Sequence, residues 1–189
     1  MQFKEIETKY NADDKSMQQF IDLITPMNPR KTMMVSSYDE YFTNSDGNFI
    51  RYRYTDDRGE LTVKSKTTEK NNNERMEINL PTSGDNMAHV SEFCKYLGFE
   101  WNFAIYKTCK IYWVDNVVLV YYIVYDKEMK ELRRFIEIEA DEDLQWESEQ
   151  EAWDTVVEWE KTLAPLGINP QKRLKKSLYE IFYKAPTAS

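Results

Sequence analysis

The chain has 189 residues, with 25 Lys and Arg against 33 Asp and Glu, a net charge of −8, 41% hydrophobic and 14% aromatic content. This is enough apolar material for one core, and 1–189 reads as a single domain without linker or repeat. The acidic balance argues against non-specific binding of nucleic acid or anionic membrane. No run of about 18 apolar residues predicts a transmembrane helix. The opening stretch MQFKEIETKY lacks the apolar segment of a signal peptide, so a cytoplasmic location is expected. His89 is the only histidine, which removes Ser-His-Asp, Cys-His and His-cluster metal chemistry. Cys94 and Cys109 fit no metal-ligand spacing and read as free thiols.

Residues 1–10 read as a first strand, with Phe3, Glu5, Glu7 and Lys9 on one face and Lys4, Ile6, Thr8 and Tyr10 on the other. Met17, Phe20, Ile21 and Ile24 recur at helical spacing over 15–24, and Pro26 and Pro29 end that helix. Strands follow at 32–43, 49–54, 60–67 and 74–80, separated by Asn-, Asp- and Gly-rich turns. A helix over 86–97 presents Val90, Phe93, Cys94 and Leu97 and stops at Gly98. Strands at 101–114, 117–125 and 132–140 complete a set of eight. A long helix over 144–163 carries Trp146, Trp153, Val156, Val157 and Leu163. A last helix over 170–183 carries Leu174, Leu178, Ile181 and Phe182, before a frayed tail. Tyr121, Tyr122 and Tyr125 read as wall packing.

Four strands place charge pairs on one face: Glu5 and Glu7 followed by Lys9, Arg51 and Arg53, Lys64 and Lys66, and Glu137 and Glu139. Ile6, Tyr52 and Ile138 stand between them and pack outward against helices. A single charged face is most simply solvated. Four, each clustering like charges, point instead to an enclosed wet interior. Neighbouring cations repel unless an anion lies between them, and neighbouring carboxylates repel unless a cation does. Both signs in one cavity suit a polyanion bound with a hard divalent metal. No Gly-rich phosphate loop is present.

These motifs resemble the CYTH superfamily of triphosphate tunnel enzymes. Glu5, Glu7 and Lys9 match its Glu-x-Glu-x-Lys opening. Arg51 and Arg53 match its Arg-x-Arg strand, and Lys64 and Lys66 its Lys-x-Lys strand. Phe135, Glu137 and Glu139 match Phe-x-Glu-x-Glu. Residues 39–42 look like its Tyr-containing second strand, and residues 176–179 like its closing Ser-Tyr-type helix.

The resemblance implies an α+β fold, an eight-stranded antiparallel β-barrel tunnel with flanking helices. It implies Mg²⁺ or Mn²⁺ on Glu5, Glu7, Glu137 and Glu139, helped by Glu77. It implies a triphosphate held by Lys9, Arg51, Arg53, Lys64, Lys66 and Lys107, with Arg75 and Lys110. Lys9 is also a candidate base, with Tyr41. Departures accompany the match. Lys107 and Lys110 have opposite strand parity, where the family carries a Lys-x-Arg pair. Asn79 stands where another acid is common, and Arg133 or Arg134 replaces a glycine. The class IV adenylyl cyclases carry a His-Phe pair before the first Glu. Here four residues precede Glu5 and none is His, which favours a metal-dependent triphosphatase. Cyclisation of ATP to cyclic AMP and pyrophosphate, and binding of nucleotide or polyphosphate without turnover, are the alternatives. A monomer and a homodimer are both open.

Overall fold

The computed structural model describes residues 5–55, 58–64, 74–75, 77–82 and 87–183. Nine strands form: β1 (Glu5–Asn11), β2 (Lys31–Thr43), β3 (Phe49–Tyr54), β4 (Gly59–Lys64), β5 (Glu74–Arg75), β6 (Glu77–Thr82), β7 (Glu100–Val114), β8 (Val117–Tyr125) and β9 (Glu131–Ala140). The helices are α1 (Met17–Ile24), α2 (Met87–Tyr96), α3 (Glu149–Thr162) and α4 (Leu178–Phe182). The expected fifth strand, 74–80, is described in two parts, β5 and β6, which gives nine described elements for the eight expected strands.

All strands join one antiparallel sheet in the order β5-β1-β9-β8-β7-β2-β3-β4-β6. Contrary to the expected closed barrel, the described sheet is not closed by hydrogen bonds. Among the described residues no hydrogen-bond ladder joins the end strands β5 and β6. β5 gives its bonds to β1 and β6 gives its bonds to β4. Gly59 lets β4 approach its neighbours, since a Cβ there would lie 2.2 Å from Thr82 Oγ1 and 2.5 Å from Tyr52 Oη.

Strand alternation separates two environments. The helix-covered face carries Ile6 and Tyr10 of β1, Leu119 and Tyr121 of β8, and Ile136 and Ile138 of β9, packed with Phe20 and Ile24 of α1 and Ala152 and Val156 of α3. Burying Phe20 and Ile24 fully contributes about 1.5–3 kcal/mol each. Tyr121 Oη donates to Lys15 O at 2.6 Å and ties this face to the start of α1. Farther along, Phe42, Ile50 and Tyr52 pack beneath Cys94 of α2. The opposite face carries the charged rows and an aromatic cluster of Tyr41, Phe49, Phe103, Tyr122 and Phe135, closed by Leu178 and Tyr179 of α4.

Local chemistry sets the helix ends and corrects three expectations. Ser16 and Gln19 form a reciprocal capping box that starts α1. The long helix begins after Ser148, whose Oγ accepts from Glu151 N at 3.1 Å, rather than at residue 144. Before it, Asp141 O accepts from Trp146 Nε1 at 2.9 Å and folds the approach into a turn. The expected helix over 170–183 is a one-turn 3-10 segment at Pro170–Lys172, an extended stretch, and α4. Arg173 is extended and Leu174 N donates to Lys9 O at 2.7 Å, so the chain spends these residues along β1 before Ser177 caps α4. On α2, Val90 and Cys94 pack inward, whereas Phe93 and Leu97 are exposed. No helix of the described chain is long and apolar enough to cross a membrane.

Candidate functional site

Alternation in β1 and β9 aims Glu7, Lys9, Glu137 and Glu139 away from the helix-covered core. Glu7 is opposite Glu139 and Lys9 is opposite Glu137 in the β1–β9 ladder. Carboxylate oxygens of Glu7, Glu137 and Glu139 lie within 4.8 Å of one another. Lys9 Nζ enters this group, 2.8 Å from Glu137 Oε1 and 3.4 Å from Glu7 Oε1. Tyr122 Oη donates to Glu137 Oε1 at 2.8 Å. Burial would raise the Glu137 carboxyl, but Lys9, the Tyr122 hydroxyl and Lys107 outweigh it and hold the group below its ordinary range. The same burial, with Glu137 beside it, pushes the Tyr122 hydroxyl well up, so Tyr122 is a proton donor there.

Across the cavity, β2, β3 and β7 bring the cations together around one acid. Asp39 is opposite Arg53 in the β2–β3 ladder, and Ser37 is opposite Lys107 in the β2–β7 ladder. Asp39 is fully buried. Its carboxylate accepts from Arg53 Nε at 3.0 Å and Nη2 at 3.2 Å, lies 2.9 Å from Lys107 Nζ, and accepts from Ser37 Oγ at 3.2 Å. Burial favours the neutral acid, yet Arg53, Lys107 and Arg51 hold Asp39 far below the ordinary carboxylate range. Burial and the neighbouring Arg53 lower the Lys107 ammonium against the opposing pull of Asp39. Arg51 Nη2 donates to Thr62 Oγ1 at 2.9 Å and lies 3.4 Å from Glu60 Oε1, and Thr62 Oγ1 donates to Asn79 Oδ1 at 2.7 Å.

These groups line one cavity of about 480 Å³, which includes Glu7, Lys9, Arg51, Arg53, Lys107, Glu137 and Glu139. The cations are suited to phosphate oxygens. The three carboxylates form an all-oxygen donor set of the kind that Mg²⁺ or Mn²⁺ takes. Tyr41 also lines the cavity, but its ring stacks on Phe103 at 4.6 Å, and burial together with Asp39 pushes its hydroxyl pKa up. Its ring contacts are those of a wall aromatic, and burial keeps the phenol protonated.

The remaining sequence candidates divide. Lys110 stands on the opposite parity from Lys107, with Nζ 4.9 Å from the Tyr112 ring, and is not brought to the cavity. Glu5 is opposite Arg75, and Lys64 is opposite Glu77, in their ladders; the side chains of all four lie outside the described part. Lys66 lies outside the described residues. Sequence reading missed Asp39, Ser37, Glu60, Thr62 and Tyr122 as members of this cavity wall or its network. Parity could have found them: Ser37 and Asp39 alternate with Tyr41, as Glu60 and Thr62 alternate with Lys64.

No protein-family profile and no curated protein matches the sequence. The fold, however, is shared with solved structures over nearly their whole length. A conserved hypothetical protein from Pyrococcus furiosus is 24% identical with a TM-score of 0.72, over 94% of this chain and 99% of that one. A Pyrococcus horikoshii protein is 20% identical with a TM-score of 0.73, over 95% and 99%. A proposed adenylate cyclase from Vibrio parahaemolyticus is 13% identical with a TM-score of 0.67, over 96% and 98%. Identities this low establish a common fold alone. The shared part is an α+β fold, an antiparallel sheet with flanking helices.

Proposed function

We propose that this chain is a metal-dependent enzyme that hydrolyses a triphosphate substrate inside the charged cavity. The observation that carries the reading is the pairing of two clusters in one cavity: the Glu7–Glu137–Glu139 carboxylates and the Arg51–Arg53–Lys107 cations.

The carboxylate trio, with Glu5 and Glu77, would hold Mg²⁺ or Mn²⁺. Such an ion neutralises phosphate charge and polarises a phosphoryl oxygen. Arg51, Arg53 and Lys107 bind the phosphate oxygens and offset the charge that builds up in phosphoryl transfer, assisted by Lys64, Lys66 and Arg75. Lys9, paired with Glu137 and Glu7, would add its ammonium to the phosphate contacts beside the carboxylate trio. Tyr122 fixes Glu137 through its hydrogen bond. α4 and its aromatic contacts exclude water from one end, with Tyr179 stacked on Phe49 at 4.2 Å.

A second reading is ATP cyclisation, favoured by the fold shared with the proposed adenylate cyclase from Vibrio parahaemolyticus. Product analysis separates the two. Phosphorus NMR of ATP and tripolyphosphate incubated with Mg²⁺ or Mn²⁺, with and without chelator, is expected to give metal-dependent orthophosphate. Cyclic AMP with pyrophosphate would replace the hydrolase reading with the cyclase reading. Ligand binding without any product would leave only a sequestering module.

A further inference from the structure

The helix-covered face of the sheet is left open at one end. Register carries the row beneath α2 outward across two more strands. Ile50 is opposite Val63, and Val63 is opposite Ile78. Tyr52 is opposite Leu61, and Leu61 is opposite Leu80. Ile50 and Tyr52 are buried beneath α2, and Leu61 is half-buried. Val63, Ile78 and Leu80 continue the same apolar pattern with no described helix over them, and are 41%, 42% and 55% exposed. A solvated face of an antiparallel sheet is ordinarily polar.

α2 carries a matching surplus. Val90 and Cys94 make its seat on the sheet, yet Phe93, Tyr96 and Leu97 are 52%, 91% and 50% exposed. At about 100° per residue, Phe93 and Tyr96 fall together on one flank of the helix, beside the seated residues. The sheet decides where that flank looks. Asn44 N donates to Asn48 O at 3.1 Å, so the bonded pairs of the β2–β3 ladder are the outward ones, Phe42 with Ile50 and Glu40 with Tyr52. For L-residues this sets β4 and β6 on the Phe93–Tyr96 side of a right-handed helix running from the end of β6 to the start of β7.

Helix flank and bare strands therefore make one apolar notch. Val63, Ile78 and Leu80 are its floor, and Phe93, Tyr96 and Leu97 its wall. At the exposures given, the six residues leave on the order of 600 Å² open, the top of the range for a monomer's largest patch and close to the roughly 800 Å² that each partner gives to a stable interface. None of the six carries a formal charge, so the net charge of −8 is not concentrated at this surface. The chain also presents both halves of a contact, an open floor and a projecting flank. A two-fold pairing covers both in both copies at once, which is the usual form of a homo-oligomer.

We propose that this notch is the contact surface of a homodimer, in which the Phe93–Tyr96–Leu97 flank of each copy packs on the Val63–Ile78–Leu80 floor of the other. The surface is on the sheet face opposite the charged cavity, and the proposal stands apart from what that cavity binds.

The test is sedimentation equilibrium over a wide concentration range for wild type, Leu80→Lys, Tyr96→Glu and Met129→Lys, with melting curves to establish that each is folded. Wild type is expected to reach the mass of two chains. A charge placed at a buried interface anchor should weaken association about tenfold or more, so Leu80→Lys and Tyr96→Glu are each expected to shift toward a single chain. Met129 is 57% exposed in the turn between β8 and β9, away from the notch, and Met129→Lys is expected to associate as wild type does. If Leu80→Lys fails to fold, Tyr96→Glu decides, because its side chain is solvated in the single chain. A single-chain mass at every concentration would overturn the proposal and leave the notch to a foreign partner. A dimer that persists in both notch variants, or that is lost equally in Met129→Lys, would overturn it as well.

Discussion

Asp39 is the residue on which the cationic side of the cavity depends. Three cations close together on β3 and β7 repel one another, and a fully buried carboxylate between Arg53 and Lys107 offsets that repulsion. Replacing it with Asn leaves both cations without their acid. Asp39→Asn is therefore expected to cost about 3 kcal/mol of stability in denaturant unfolding. The pH dependence has a definite sign. The folded-state pKa of Asp39 is depressed, so its contribution is fully present above the unfolded value near 4 and is lost as pH falls through the folded value. Wild type should lose stability on acidification below about pH 4 more steeply than Asp39→Asn. Equal slopes would remove this role. Glu137 gives the complementary test on the acidic side. Glu137→Gln keeps the shape, but removes a ligand of the proposed ion and the acid nearest Lys9. Metal-dependent turnover should fall on the order of 10²-fold with an intact melting transition. At this scale much was legible in the sequence. The charges of Glu7, Lys9, Arg51, Arg53, Glu137 and Glu139 announce themselves by alternating along strands. Asp39 shares the parity of Tyr41, but its role was missed because it comes from partners on β3 and β7, and pairing between distant strands is not written in local spacing.

At the scale of elements, the C-terminal segment shows how a side-chain network overrides a helical pattern. Glu160 of α3 is nearly fully buried and receives Arg173 through Nε at 2.5 Å and Nη2 at 2.7 Å, with Tyr10 Oη donating to the same carboxylate. This network fixes Arg173 against β1 in extended geometry, and Leu174 N then bonds Lys9 O. The apolar spacing of Leu174, Leu178, Ile181 and Phe182 suggested one continuous helix, but Glu160 and Arg173 are too far apart in the chain for spacing to reveal their pair. Glu160→Gln should destabilise the fold by about 3 kcal/mol, since it leaves a partly buried guanidinium without its acid. Faster hydrogen exchange at Leu174 N should accompany that loss. Exchange at Leu174 unchanged while the whole protein melts earlier would show that the network does not anchor this segment. The described parts of the expected fifth strand, β5 and β6, show a related limit. The sequence marks 74–80 as one strand, yet its two ends serve different neighbours, a choice made by the sheet rather than by the segment.

For the whole molecule, the arrangement separates two demands on one sheet. One face buries aliphatic and aromatic residues under α1, α2 and α3, and the other gathers opposite charges around a cavity. The chain carries a net charge of −8, so attraction of a polyanion must come from the local field of Arg51, Arg53 and Lys107 rather than from the protein as a whole. Such a ligand, bound with its metal at a hundred times its dissociation constant, should raise stability by about 2.7 kcal/mol. The succession of strands along the chain, and the alternation of those that carry the charged rows, were recoverable from the sequence through their period of two, whereas the pairing order in the sheet was not. The way the sheet ends was not, because it depends on which neighbours share β5 and β6.

The most direct test titrates Mn²⁺ into the protein in the presence of tripolyphosphate, followed by electron paramagnetic resonance, for wild type and for Glu7→Gln with Glu137→Gln and Glu139→Gln. The account predicts a ternary complex of wild type, Mn²⁺ and tripolyphosphate that disappears in the folded triple variant. A Mn²⁺ signal identical in both proteins, or no protein-bound signal in wild type, would contradict a metal-dependent polyphosphate site in this cavity.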